Sequence, residues 1–316
     1  MKIAIAGPGA FGIRHLEAIQ SIPGIEVISL AGGRPAGTEA AAKKWQIPHW
    51  TSDLAETLEQ PGLEAVIIAS PTQIHAQQAE QCMRAGKHVL IEIPITDSAE
   101  DAERLVAVQK ETAVVAMAGH VRRFNPSHQW VHNRIRAGEL KVQQMDVQTV
   151  FFRRTNMNAL GQARTWTDHL LWHHACHTVD LFMHQTGELP SIENALQGPI
   201  HPELGIALDM SIQLKVPSGA ILTLSLSFSN DGPLGSFFRY ICDNGTYKAL
   251  YDDLTDGYDK PIDVSKVDVS LNGIEIEDRE FFAAIHEQRE PQCSIAQVLP
   301  AMQCLGRLSE QLNRAG

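Results

Sequence analysis

KIAIAGPGAFGIRHLEAIQSI, residues 2–22, joins a short apolar run to a glycine turn and then to a helical pattern. Gly7, Gly9 and Gly12 form G-x-G-x-x-G directly after the expected strand, with Ala10 and Phe11 opening the helix. That context gives the motif its meaning. The glycines permit a tight turn and let the backbone N–H groups of a helix start meet a pyrophosphate. A dinucleotide is the expected ligand.

Working outward, apolar runs and helical patterns alternate. IEVISLA (25–31), a short run near His49, AVIIAS (65–70), HVLIEIP (88–94) and VVAMAG (114–119) read as strands. Helices are expected over 37–45, 52–59, 75–85 and 98–112, the third ending at Gly86. Strands alternating with helices predict right-handed βαβ units and a parallel sheet. After RFNP, where Pro126 is placed to start a helix, the pattern changes. VQQMDVQTVFF, ALDMSIQLKV, AILTLSLSFS and FFRYICD alternate apolar with polar, and VPSG (216–219) and DNGT (243–246) read as hairpin turns. Two helices, near 278–289 and 294–314, close the chain. The expectation is an α/β Rossmann domain over 1–120, followed by an α+β domain over 121–316 with an open, mostly antiparallel sheet.

The second strand selects the cofactor. An NAD site places an acid about 20 residues after the motif, on the ribose hydroxyls. Here Leu30-Ala31-Gly32-Gly33-Arg34-Pro35 holds no acid. Arg34 can pair with a 2′-phosphate and Gly33 leaves room for it, so NADP is expected, with NAD as the less preferred cofactor.

The formal net charge of −11 argues against nucleic acid as a partner, since that needs a basic face. Charge is unevenly spread, however. Residues 120–165 hold eight Arg or Lys against Glu139 and Asp146, a local positive pocket suited to a small anion. No apolar run reaches the ~18 residues of a membrane span. The start, MKIAIAGPG, has no signal-peptide pattern, and five cysteines without paired spacing point to reduced thiols. A cytoplasmic location is expected.

TWTDHLLWHHACHTVDLFMH, residues 165–184, carries five of the fourteen histidines. Read as a helix, His169, His173, His177, Asp180 and His184 share one arc, opposite Leu171, Trp172, Ala175, Cys176, Val179 and Phe182. Thr165 or Thr167 is placed to cap its start and Gly187 to end it. Imidazoles in a row suit proton transfer, anion binding or a metal. No Cys or Glu nearby completes a ligand set, so no metal is expected. His169 and His184, at the ends of the stripe, read as structural.

With the glycine loop, Ser70-Pro71-Thr72, His75, Glu92-Ile93-Pro94 and the run Gly119…Arg123-Phe124-Asn125-Pro126 in view, the chain resembles the glucose–fructose oxidoreductase/inositol dehydrogenase family over nearly its whole length. HVRRFNPSHQ and RTWTDHLLWHHACHTVDLF are among the longer segments that carry the likeness. The resemblance implies a dinucleotide-binding N-terminal domain and a substrate domain whose sheet often forms a homodimer contact. It places Ser70, Pro71, Thr72, His75, Glu92, Ile93 and Asn125 around the cofactor. Within the family, the longer segments resemble a branch whose substrate is an aldehyde closed into a cyclic hemiacetal with two carboxylates, which implies oxidation to a lactone. Two departures stand out. Ile93 occupies the place of a lysine that usually touches the reacting oxygen. His173 replaces an Asp four residues before the catalytic His, which His177 matches. The base is therefore assigned to His173 or His177. Arg122, Arg123, Arg164 and His174 are assigned to the dicarboxylate. Competing expectations are oxidation of a sugar or cyclitol, and a non-catalytic NADP-sensing regulator.

Overall fold

The computed structural model describes residues 1–157, 163, 167–264 and 271–315. The chain divides into two compact units: Met1–His120 with Ile274–Leu299, and Val121–Gly273 with Pro300–Gly316.

The first unit is built on six parallel strands: β1 (Lys2–Ala6), β2 (Glu26–Ala31), β3 (His49–Thr51), β4 (Leu63–Ile68), β5 (His88–Glu92) and β6 (Ala116–Gly119). Helices α1 (Ala10–Ile19), α2 (Pro35–Trp45), α3 (Leu54–Leu58), α4 (His75–Arg84) and α5 (Ala99–Thr112) connect them. The strand order is β3-β2-β1-β4-β5-β6. Ile3, Ile5, Val66, Ile67, Ile68 and Leu90 are fully buried, as expected of parallel strands covered on both faces. Because the order reverses between β1 and β4, that is the switch point where a doubly wound sheet binds its ligand, at the carboxyl ends of the strands.

The second unit opens with α6 (Pro126–Arg136), for which Pro126 supplies the first residue. Its sheet contains β7 (Val142–Val150), β8 (Ser191–Gln197), β9 (Asp209–Lys215), β10 (Ile221–Ser227), β11 (Gly235–Cys242), β12 (Gly245–Leu250) and β13 (Asp253–Asp256). The order is β13-β12-β11-β7-β10-β9-β8, antiparallel throughout except that β10 runs parallel to β7. The parallel pair arises because α7 (Cys176–Thr186), β8 and β9 intervene between β7 and β10. Met145, Val147, Ile212, Leu214, Leu222, Leu224, Phe238 and Tyr240 form the buried face, on which α7 packs.

The chain ends with α8 (Ile274–His286) in the first unit and α9 (Ile295–Ala315), which contains Pro300. All five cysteines are buried, and none of them forms a disulfide. Among the described residues no helix is long and apolar enough to cross a membrane.

Candidate functional site

In the first unit the glycine loop is shaped by what its residues lack. A Cβ on Gly12 would lie 2.1 Å from the Gly7 carbonyl oxygen, and one on Gly7 would lie 2.5 Å from the Ala69 carbonyl. Gly7 also sits at φ +102°. Both positions demand glycine. Gly9 has nothing within 4 Å of its missing Cβ, so the space above the turn is open to a ligand. Gly9 caps α1 without a side chain, and no acid stands in the first turn. The free N–H groups at Ala10 and Phe11 therefore face outward with the positive end of the helix dipole. A pyrophosphate fits this cradle, and Phe11, 56% exposed, lies beside it.

After β2 the chain turns through Gly32 (φ +83°) and Gly33 (φ +75°). The Thr38 hydroxyl donates to the Gly32 carbonyl and braces the turn. Arg34 is exposed at the N-cap of α2, and that helix also has no acid in its first turn. Arg34 thus adds an exposed guanidinium at a helix start that carries no acid.

Past the switch point, β4 leads into Ser70, Pro71 and Thr72. Ser70 donates to Gln78 Oε1 at 2.6 Å. His75 is only 1% exposed, its nitrogens 2.7 Å from the Ser70 carbonyl and 2.9 Å from the Pro94 carbonyl. Burial lowers its pKa. As a neutral ring it donates to one of these two carbonyls, which lie just past the ends of β4 and β5. Glu92 Oε2 accepts the Ile93 N–H at 3.1 Å, and the Ile93–Pro94 peptide is cis.

In the second unit the histidine helix starts later than its sequence pattern suggests. Leu170–Ala175 is wound as a π-helix that runs directly into α7. Its cap is His169, extended at φ −115° and ψ 128°, whose Nδ1 accepts the Leu171 N–H at 3.1 Å. Thr167 does not fill that place, and Thr165 lies outside the described residues. The wider π turn breaks the expected 100° spacing between His169 and His177. Gly187 ends α7 in the left-handed region, as expected.

The hydrogen bonds separate the imidazoles. His173 Nδ1 accepts the His169 backbone N–H at 3.0 Å. A backbone amide only donates, so Nδ1 carries no hydrogen and the neutral ring presents Nε2–H. His174 Nε2 lies 3.0 Å from Asp168 Oδ1, and its ring sits against Phe151 and Phe228. Asp168 is also ion-paired with Arg153, and His173 Nδ1 is 3.9 Å from it. His177 stands half-buried in the first turn of α7. His184 stacks on His132 with ring centroids 4.0 Å apart. Burial, then the charge of Arg123, pushes its pKa down to about 3, so it stays neutral as a packing group. Burial, then His174, lowers His169 as well.

The two arginines preceding α6 are both buried. Arg123 grips Asp180 with two nitrogens, Nε to Oδ2 at 2.8 Å and a terminal nitrogen to Oδ1 at 2.6 Å. Arg122 donates to Asn125 Oδ1 at 3.2 Å and lies 4.8 Å from the centre of the Tyr251 ring. Its Nε has no partner among the described residues, and burial lowers its pKa. Asn125 donates to Asp252 at 2.7 Å and Asn272 at 3.1 Å. Arg164 lies outside the described residues.

Sequence reasoning assigned no role to Asp168, Arg153, Phe151 or Phe228. Arg153 was visible only as one of a cluster of cations. Its meeting with Asp168 depends on where the end of β7 runs, beside Ser227 and Phe228, and no spacing encodes that.

Residues 1–120 match the model of an oxidoreductase family with an NAD-binding Rossmann fold, and 126–268 match bacterial oxidoreductases, C-terminal. The chain is 60% identical over 316 residues, 100% of both chains, to a 4-carboxy-2-hydroxymuconate-6-semialdehyde dehydrogenase of a Sphingobium species. It is 33% identical over 141 residues to the scyllo-inositol 2-dehydrogenase (NAD(+)) of Bacillus subtilis, covering 44% of this chain and 41% of that one. In fold it is similar to an oxidoreductase from Agrobacterium radiobacter crystallised with NAD+, L-tartaric acid and magnesium. That likeness has a TM-score of 0.86 at 16% identity and covers 100% and 97% of the two chains.

Asp180→Asn is expected to remove the carboxylate charge from the buried Arg123–Asp180 pair and to lower stability by about 3–5 kcal/mol, read as a fall in denaturation midpoint. Two-bond proton–nitrogen correlation spectra at neutral pH are expected to show His173 with an unprotonated Nδ1. A protonated Nδ1 would refute the donor tautomer.

Proposed function

The chain belongs to the glucose–fructose oxidoreductase/inositol dehydrogenase family of oxidoreductases, and we propose that it oxidises the cyclic hemiacetal of 4-carboxy-2-hydroxymuconate-6-semialdehyde to 2-pyrone-4,6-dicarboxylate with NADP, a step of protocatechuate 4,5-cleavage. The observation that carries this reading is the 60% identity over the full length of both chains. The preference for NADP rests on Arg34, exposed at the start of α2 beside a glycine turn with no acid.

A bound nicotinamide supplies the acceptor for the hydride that leaves the hemiacetal carbon. The chain's own residues hold the substrate and move its proton. As the carbon–hydrogen bond gives up its electron pair, the hydroxyl proton passes to a base and a lactone carbonyl forms. We assign the base to His177. His173 already spends its Nδ1 lone pair on a backbone amide, which supports a donor's part for its Nε2–H, toward a substrate oxygen. Ile93 offers no ammonium, so these imidazoles carry the proton chemistry.

Arg122, Arg164 and His174 are the proposed ligands of the two carboxylates. Arg123 contributes by fixing Asp180. Asp168 holds His174 in one orientation and is itself held by Arg153. The outer face of the second sheet, with Ser211, Gln213, Ser225 and Arg239 exposed, is the surface we propose for a homodimer.

Assays with enzymatically ring-cleaved protocatechuate are expected to give NADPH and a pyrone dicarboxylate. Turnover of inositols or sugars in its place would sink the substrate assignment. Arg34→Ala is expected to lower kcat/KM for NADP at least tenfold while leaving NAD nearly unchanged, since one charge-assisted contact of about 1.5–3 kcal/mol is lost. His177→Ala is expected to cut kcat by about 100-fold or more, and His173→Ala less. The reverse order would exchange their roles.

A further inference from the structure

The first unit buries a charged cluster that the chemistry above leaves unused. His15 on α1 is fully buried, with Nδ1 2.8 Å from Asp278 Oδ1 and Nε2 2.9 Å from Glu92 Oε1. Carboxylates accept, so a ring bonded to both is an imidazolium. Burial opposes that charge, but Asp278 and Glu92 outweigh it and hold the His15 pKa well above its usual range. Glu277, next to Asp278 on α8, is also fully buried, and neither carboxyl oxygen has a partner among the described residues. Burial, then the charge of Glu92, raises its pKa well above the usual range, which favours its neutral form.

Tying α1, β5 and α8 together in this way is costly. Well-packed apolar groups in place of a buried ion pair are often neutral or stabilising. The cluster does, however, have one outlet. The side chains of His15 and Asp278 are 0% exposed, whereas that of Glu92 is 10% exposed. Glu92 is the last residue of β5, on the carboxyl edge of the sheet. The first mononucleotide half of a doubly wound sheet lies on β1–β3, with Arg34 on that side. β4–β6 take the other half, which carries the nicotinamide. Gly119 of β6 pairs with Glu92. A Cβ there would stand 3.2 Å from Glu92 Cα and 3.3 Å from Oε2, so the bare strand leaves room for the carboxylate.

We propose that His15 is a positioning residue for the nicotinamide half of the cofactor: anchored by Asp278, it fixes the Glu92 carboxylate at the sheet edge, where that negative charge favours the cationic oxidised ring over the neutral reduced one. The proposal rests on the dinucleotide reading above and on nothing about the substrate.

The test uses the full chain without substrate and measures Kd for NADP+ and for NADPH. His15→Gln and Glu92→Gln are each expected to raise the ratio Kd(NADP+)/Kd(NADPH) about tenfold, the loss of one charge contact. The double variant is expected to go no further than Glu92→Gln alone, because both act through one group. Circular dichroism checks folding. If His15→Gln does not fold, Asp278→Asn tests the same contact and is expected to move the ratio in the same direction. An unchanged ratio in a folded variant, with both constants shifted equally, overturns the proposal by reducing His15 to a structural part. A wild-type melting point raised by Zn2+, with the rise lost in Glu277→Gln, overturns it by making the cluster a metal site. Failure of the wild type to bind either dinucleotide removes the cofactor reading itself.

Discussion

The first unit depends on the absence of two side chains. With no Cβ at Gly7 or Gly12, α1 can start against the loop that ends β1, and its N-terminal amides remain free. Any methyl group at Gly12 would have to displace the Gly7 carbonyl, which no rotamer change can avoid. That close seating has two consequences on one helix. Its first turn presents uncapped amides, and its second buries His15 within reach of β5 and α8. The open helix start at one end and the buried imidazolium further along are thus both results of the same close packing of backbone on backbone.

Each unit also buries a charge and answers it with carboxylate. In the first, His15 stands between Asp278 and Glu92, and in the second Arg123 is held in a two-pronged grip by Asp180. Neither is an efficient source of stability, because desolvation offsets most of the attraction and only a missing partner has a large effect. What such pairs do supply is direction. The Arg123–Asp180 pair fixes the start of the segment before α6 to the middle of α7, the helix that carries His177. Arg122, beside it, is buried without a two-pronged partner, and that contrast is why it remains the better candidate for an external anion.

The sequence made the parallel sheet legible because β1, β4 and β5 are largely apolar runs and helices carry start or stop signals, such as Ser98 before α5 or Gly86 after α4. The alternating strands of the second unit were equally plain. β8 and β13 were not. In β8 only Ala195 is fully buried, so its edge position left no alternation to read. The start of the histidine helix was misplaced for a different reason. A π turn has no residue preference that marks it, and His169 is an unusual cap beside two available threonines. His15 was hidden because its partners stand 77 and 263 residues away.

The π turn also explains how five imidazoles of one type come to do different things. On a regular helix His169, His173 and His177 would line up as near equivalents. Here the extra residue in the turn lets His169 cap the helix while its own amide points at His173. That one backbone donor settles the tautomer of His173, whose Nδ1 lies beyond hydrogen-bond reach of Asp168 at 3.9 Å. The adjacent His174 is turned toward Asp168 instead, where Arg153 already neutralises the carboxylate. The Arg153 charge thus offsets that of Asp168 while the His174 ring is still oriented. A sequence reading that treats a helix as a fixed wheel cannot recover this, because the roles follow from which lone pair meets which backbone amide.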